Sequence, residues 1–257
     1  MFRKCFIILL LSHIFGDYYL QTDEMADKKE ESIRWLYKHC LLYWAAYLLI
    51  SIPVFSLKIF LAGLAMAILH AIVDACKFYY NKKKNKDKTN LITKRNIYIF
   101  DQGIHLACLI AAAYILTTGN VTLTVNAAIN KFFDIAMLSK LSTVCYLTAL
   151  LIIHKPANIT IMRLIAVYKP VSGGQDGKKQ RDYNAGSFIG TVERIIILIF
   201  LSIEQYSAIG LVLTAKSIAR YDRISKDKDF AEYYLLGTLI STAFVTVITF
   251  LLIPLGS

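Results

Sequence analysis

The chain has 257 residues, 56% of them hydrophobic and 18% charged, with a mean hydropathy of +0.51 and a formal net charge of +11. Soluble domains carry about a quarter charged residues, so the composition excludes a soluble enzyme and also a disordered or fibrous protein. Residues 233–257, 103–130, 59–73 and 41–57 contain no Asp, Glu, Lys or Arg, and the first of these runs can cross a bilayer unaided.

Seven apolar segments are predicted, at roughly 5–22, 39–57, 59–77, 99–118, 134–154, 187–214 and 232–254. They describe an all-α polytopic membrane protein of 6–7 transmembrane helices, with a four-helix bundle over 1–120 and a helical membrane extension over 121–257. The first segment follows Arg3 and Lys4 as a signal peptide would. It lacks a small-x-small cleavage pattern and carries His13 and Asp17, so it reads as a first membrane helix. Ile52-Pro53 divides the second segment from the third. The five cysteines, in or beside apolar segments and without CxxC spacing, read as small buried hydrophobes.

Lys and Arg gather in the connections. The connection Asn81–Arg95, NKKKNKDKTNLITKR, is the strongest topology signal and places the exit of segment three and the entry of segment four in the cytoplasm. It has none of the aromatic interleaving of a nucleic-acid arm, so no nucleic-acid binding is expected. Counting outward, 23–38 and 155–186 are cytoplasmic and 119–133 external. Alternation then puts the basic stretch 215–229 outside, and Arg3 and Lys4 with it. A single long helix through 187–222, partly interfacial, would reconcile the first conflict.

Three of the five histidines have an aspartate four residues away: His13/Asp17, His70/Asp74 and Asp101/His105. With 12 aspartates in the chain, three such coincidences have a chance of below about one per cent if helical neighbours alone count. His39 adds an imidazole at the mouth of segment two, and Gln21 continues the first stripe one turn past Asp17. In an up-and-down bundle these positions fall at four helix ends on one side. Neutral imidazole and carboxylate suit zinc, with manganese or iron as alternatives, and paired ions can clamp a phosphoryl group and activate water. His13, Asp17, His70, Asp74, Asp101 and His105 are the expected ligands, with His39 and Gln21 ligating or supporting them. Lys77, one turn beyond Asp74, is a phosphate contact or a snorkelling lysine.

The strings LLLSHIFGDYYLQTDEMADKK, WLYKHCLLY, HAIVDACK and FDQGIHL resemble an uncharacterised bacterial inner-membrane family, a domain of unknown function with HxxxD(F/Y)xLQ, HxxxY, HxxxDxxK and DQxxH motifs. The resemblance covers roughly residues 5–120. GTVERIIILIF and AEYYLLGTLIS are similar to the C-terminal extension of its longer members. It implies a multi-pass protein of the bacterial inner membrane, with His13, Asp17, Gln21, His39, Tyr43, His70, Asp74, Lys77, Asp101, Gln102 and His105 at the motif positions. The helical His/Asp set is also distantly similar to membrane-bound metal-dependent hydrolases, by ligand type rather than by motif.

The remaining charged features have plainer readings. The mixed charges from Asp23 to Lys38 read as a solvated helix face, or else as a lid over the site. Glu193 and Arg194 inside segment six read as a buried ion pair, with a proton path as the alternative. SGGQDGKK at 172–179 misses the phosphate-loop pattern at Ser172 and Lys179. Asn120 and Asn158 begin glycosylation sequons, and His154 sits near a helix end. The expected function is hydrolysis of a phosphoester, lipid or nucleotide, at the cytoplasmic interface. A divalent-cation or proton transporter using the same cluster, and a non-catalytic metal sensor, remain open beside it, as does a homo-oligomer.

Overall fold

The computed structural model describes residues 1–83, 90–170 and 176–253, and only the backbone over 176–184. Residues 84–89 of the basic connection and 172–175 of the Gly-rich stretch lie outside the described residues. Every regular element among them is helical. The chain divides into two compact units, Met1–Thr148 and Ala149–Ser257.

In the first unit, α1 (Phe2–Ile14) runs directly into a π-helical turn, Phe15–Tyr19, closed by the Leu20 amide donating to the Phe15 carbonyl five residues back at 2.9 Å. The short α2 (Asp23–Lys28) starts at Thr22, whose hydroxyl accepts from the Met25 amide. Then come α3 (Ile33–Ser51), a 3-10 turn at Ile52–Val54 holding Pro53, and α4 (Leu57–Lys83). Asn90 caps α5 (Leu91–Thr118) by accepting from the Ile92 and Thr93 amides. Such caps satisfy amides that a helix start leaves unbonded. Asn126 does the same for α6 (Ala127–Ile135), and its own amide donates to the Pro53 carbonyl at 2.9 Å.

Helices α1, α3, α4 and α5 form a ring, each packed on two neighbours: α1 on α3 and α5, and α4 on α3 and α5. Two glycines permit the closest approaches. A Cβ on Gly63 would meet the Tyr47 ring at 2.0 Å, and one on Gly16 would meet Tyr43 Cδ2 at 2.9 Å. One end of the ring is filled by Cys5, Leu9, Tyr47, Ile59, Met66, Leu109, Ala113 and Leu116. The other end is polar.

The second unit takes over α7 (Lys140–Ile165) from Ala149 onward, followed by α8 (Asp176–Ser202), α9 (Tyr206–Ile218), α10 (Tyr221–Lys226) and α11 (Lys228–Leu252). Its apolar core includes Ala157, Ile161 and Ile165 of α7, packed with Tyr233, Ile240 and Phe244 of α11. Pro156 lies inside α7. Three residues before it, the Ile153 carbonyl accepts from Arg194 Nε at 2.7 Å.

Three expectations change. Glu193 and Arg194 do not bond each other: Glu193 is ion-paired with Lys216, while Arg194 bonds Ile153, Ser241, Asn158 and Thr191. Adjacent residues on a helix point about 100° apart, which sends the two charges to different neighbours. Segment six is not continuous to 222, because α8 ends at Ser202 and Glu204 takes a left-handed φ of 58° before α9 begins. The cysteines also differ among themselves: all are free, with Cys5 and Cys145 buried but Cys76 exposed.

Among the described residues, five helical stretches are long and apolar enough to cross a membrane: Leu57–Lys83, Leu91–Thr118, Lys140–Tyr168, Ala185–Ser202 and Lys228–Leu252. α1 and α3, which complete the ring, are not among them.

Candidate metal centre

The polar end of the ring gathers residues that are far apart in the chain. α1 and its π turn contribute His13 and Asp17, and α3 contributes His39. His70 and Asp74 come from α4, and Asp101 and His105 from α5; all seven are buried. Burying this many polar groups is costly unless they are bonded or hold an ion.

Their spacing is compatible with metal ligation. Ligand atoms about 2.1 Å from one ion stand about 3.0–3.4 Å apart along octahedral or tetrahedral edges. In a first set, His39 Nε2 lies 3.1 Å from His70 Nε2 and 3.2 Å from Asp17 Oδ1, with His70 Nε2 4.0 Å from that oxygen. Asp74 Oδ2 faces the same group, 3.4 Å from His39 Nε2 and 3.7 Å from His70 Nε2. In a second set, His105 Nε2 stands 3.7 Å from both Asp74 Oδ1 and Asp101 Oδ1. Those separations exceed a hydrogen bond, and neither His105 Nε2 nor Asp101 Oδ1 has a hydrogen-bond partner although both are buried. Asp17, His39 and His70, and separately Asp74, Asp101 and His105, thus form two groups able to hold an ion. Asp74 turns one oxygen to each.

A supporting layer orients these groups. Gln102 Nε2 donates to Asp17 Oδ2 at 3.4 Å and to Asp101 Oδ2 at 3.3 Å, while its Oε1 accepts from the Tyr18 hydroxyl at 2.9 Å. Tyr98 and Tyr18 hydroxyls are 3.0 Å apart. Because carboxylates only accept, the amide nitrogen must face them. Gln102 therefore occupies both Oδ2 atoms, leaving both Oδ1 atoms turned to the ligand sets. The Tyr43 ring stacks on His70 at 3.8 Å, nearly parallel, and its hydroxyl lies 3.2 Å from His13 Nδ1. The Nδ1 atoms of His39 and His70 have no hydrogen-bond partner, so packing rather than a second hydrogen bond holds those rings.

Two ammonium groups close the site. Lys77 donates to Asp101 Oδ2 at 2.9 Å. Lys29, just past α2, lies 3.2 Å from Asp74 Oδ2 and 3.9 Å from Asp17 Oδ1. Their side chains, 21% and 12% exposed, are more open than the residues they contact and mark the mouth.

Five of the six expected ligands fall in the two sets, joined by His39, which was read as ligating or supporting them. His13 lies outside both, its Nδ1 3.2 Å from the Tyr43 hydroxyl. Gln21 occupies the turn after the π helix, partly exposed. Lys77 reaches the site through Asp101. Lys29, in the stretch read as a solvated face or else a lid over the site, reaches the cluster. A readable signal was Met25, an apolar residue among charges behind the Thr22 cap; it is buried and pins α2 to the bundle.

Residues 5–133 match the family described as "Protein of unknown function (DUF3307)". The chain belongs to this family. The matched DUF3307 region contains all of the ligand sets and their supporting residues. Comparison with curated proteins and with solved structures found no match.

Proposed function

We propose that this protein is an integral-membrane, metal-dependent hydrolase of phosphoesters, of lipid or nucleotide type, working at the cytoplasmic face of a bacterial inner membrane. The observation that carries this reading is the carboxylate of Asp74, which offers one oxygen to each of two ligand sets and so suits a pair of ions a few ångströms apart. The first ion would be held by Asp17, His39, His70 and Asp74, and the second by Asp74, Asp101 and His105. The mixed imidazole and carboxylate set suits zinc, or manganese or iron. A bound pair supplies Lewis acidity and an acidified water. In the reaction, a water oxygen bonds to phosphorus as the ester P–O bond breaks, and one water proton ends on the leaving alcohol. The chain's own residues hold the geometry: Gln102 fixes two carboxylates, Tyr43 fixes His70, and Lys29 and Lys77 supply positive charge at the mouth for an anionic substrate.

The rest of the bundle supports an enzyme over a carrier. A transport path needs polar groups beyond the site, and the far half of the ring is packed with Leu9, Ile59, Met66 and Leu109. Exposed Leu61, Ile68, Ile72, Ile110 and Ile115 on the outer faces of α4 and α5 suit lipid contact. Lys82, Lys83, Lys94 and Arg95, the described basic residues of the connection, support a cytoplasmic placement of this end of α4 and α5.

The test is turnover of a panel of phosphomonoesters, phosphodiesters, nucleotides and phosphatidic acid by detergent-purified protein supplied with zinc or manganese. Turnover is expected to vanish on chelation and in Asp74→Asn. Failure to turn over any member, by protein shown to carry its ions, would sink the hydrolase reading.

A further inference from the structure

Lys29 and Lys77 both contact the carboxylates, but on different oxygens. Lys77 bonds Asp101 Oδ2, whereas the oxygen of Asp101 that faces the second ligand set is Oδ1. An ion in that set leaves the Lys77 bond intact. Lys29 bonds Asp74 Oδ2 and approaches Asp17 Oδ1, two of the four atoms of the first ligand set. A divalent ion there needs the same lone pairs and repels the ammonium at close range. The ion and the ammonium therefore compete for those oxygens.

Charge says where the displaced ammonium goes. Asp17, Asp74 and Asp101 against Lys29 and Lys77 leave one net negative charge if the imidazoles are neutral. Two divalent ions turn this into three net positive charges in a largely buried cluster, which only an anionic ligand can offset. A phosphoryl group with several charged oxygens is such a ligand, and its outer oxygens would lie at the mouth, where Lys29 is tethered. The tether suits a change of partner. α2 has six residues, is anchored by buried Met25, and is followed by a break before Ile33. Neighbouring Lys28 points the other way, bonding Glu24 at 2.6 Å and lying over the Trp35 ring.

We propose that Lys29 is an anion-binding residue that exchanges partners with metal loading: it holds Asp74 and Asp17 in the metal-free protein and turns to the phosphoryl oxygens of the bound ligand once ions take those carboxylates. This rests on the two-ion reading above and assigns to Lys29 the phosphate contact that the sequence suggested for Lys77.

The experiment compares full-length wild type with Lys29→Met, Lys29→Arg and Lys28→Met, measuring zinc isotherms and then anion binding to the loaded protein. The anion probes are inorganic phosphate and nanodiscs containing phosphatidic acid, with phosphatidylcholine discs as reference, which separates a soluble phosphoryl ligand from a lipid headgroup. Lys29→Met is expected to bind the first-set ion at least about tenfold more tightly and to bind the preferred phosphoryl probe at least about tenfold more weakly. Lys29→Arg should retain anion binding, and Lys28→Met should match wild type in both. Wild type that binds no ions overturns the metal reading and this proposal with it. Two ions in wild type, with unchanged metal and phosphate affinities in Lys29→Met, overturn the Lys29 proposal alone. So does a loss of metal in Lys29→Met that Lys29→Arg restores, because Lys29 would then support the ligands rather than compete for them.

Discussion

Each unit buries a polar cluster among apolar helices, and the two clusters are built in opposite ways. Around Arg194, which is 2% exposed, all three guanidinium nitrogens have acceptors: Ile153 carbonyl at 2.7 Å, Ser241 hydroxyl at 3.1 Å, Asn158 Oδ1 at 2.5 Å and Thr191 hydroxyl at 3.3 Å. The His/Asp cluster mixes closer contacts, His39 Nε2 to His70 Nε2 at 3.1 Å and to Asp17 Oδ1 at 3.2 Å, with looser pairs at 3.4 to 4.0 Å, and leaves His105 Nε2, Asp101 Oδ1 and two imidazole Nδ1 atoms without partners among the described residues. A buried group that only supports a fold closes its hydrogen bonds, because an open one costs about 1–3 kcal/mol. The open atoms of the His/Asp cluster converge on two groups that could hold a metal ion, which is the basis of the proposal above. Asn158 also shows how local context overrides a motif, since the side-chain amide of that sequon is engaged with Arg194 and Thr191.

Substitutions should separate the two clusters. The largest effect is expected from Asp74→Ala, which removes an oxygen from each ligand set: affinity for both ions should fall by at least about 100-fold, whereas His105→Ala should cost one ion and spare the other. Isothermal titration with zinc distinguishes these. Arg194→Ala should act on stability alone, lowering it by about 2–4 kcal/mol through the stranded Ile153 carbonyl and Asn158 amide, with metal content unchanged. Thermal unfolding in detergent beside metal analysis checks both halves, and a loss of metal in this variant would erase the distinction between the clusters.

Smaller effects should come from the supporting layer. Gln102→Leu frees the two Oδ2 atoms and is expected to weaken metal binding about 10–100-fold, as is typical of groups that orient ligands. Tyr18→Phe removes the hydroxyl contacts to Gln102 and Tyr98 but touches no ligand directly, so a change of about tenfold or less is expected in the same titration. If Tyr18→Phe exceeded Gln102→Leu, the order of that hydrogen-bond chain would be wrong.

Much of the site was legible in the sequence, since helical spacing alone pairs His70 with Asp74 and Asp101 with His105, and alternating helix direction brings His39 to the same end. The first pair divides, with Asp17 in one of the two sets and His13 against Tyr43, and nothing local in the sequence announces the π turn at Phe15–Tyr19 that carries Asp17. Lys29 was hidden for a different reason. In a run of mixed charges, exposure depends on where a two-turn helix docks, which is a tertiary fact. Helices α4, α5 and α11 announced themselves by charge-free runs. The division of α8 from α9 did not, because the backbone reverses at Glu204, a residue with no special turn preference.

The most direct test of the two-ion centre is the metal content of the wild-type protein. Mass spectrometry of detergent-purified chain, after equilibration with zinc and removal of the excess by dialysis, should find two ions per chain, one for each ligand set. Protein that remains metal-free after equilibration with zinc and then with manganese would contradict the account and leave the His/Asp cluster as interhelical bonding.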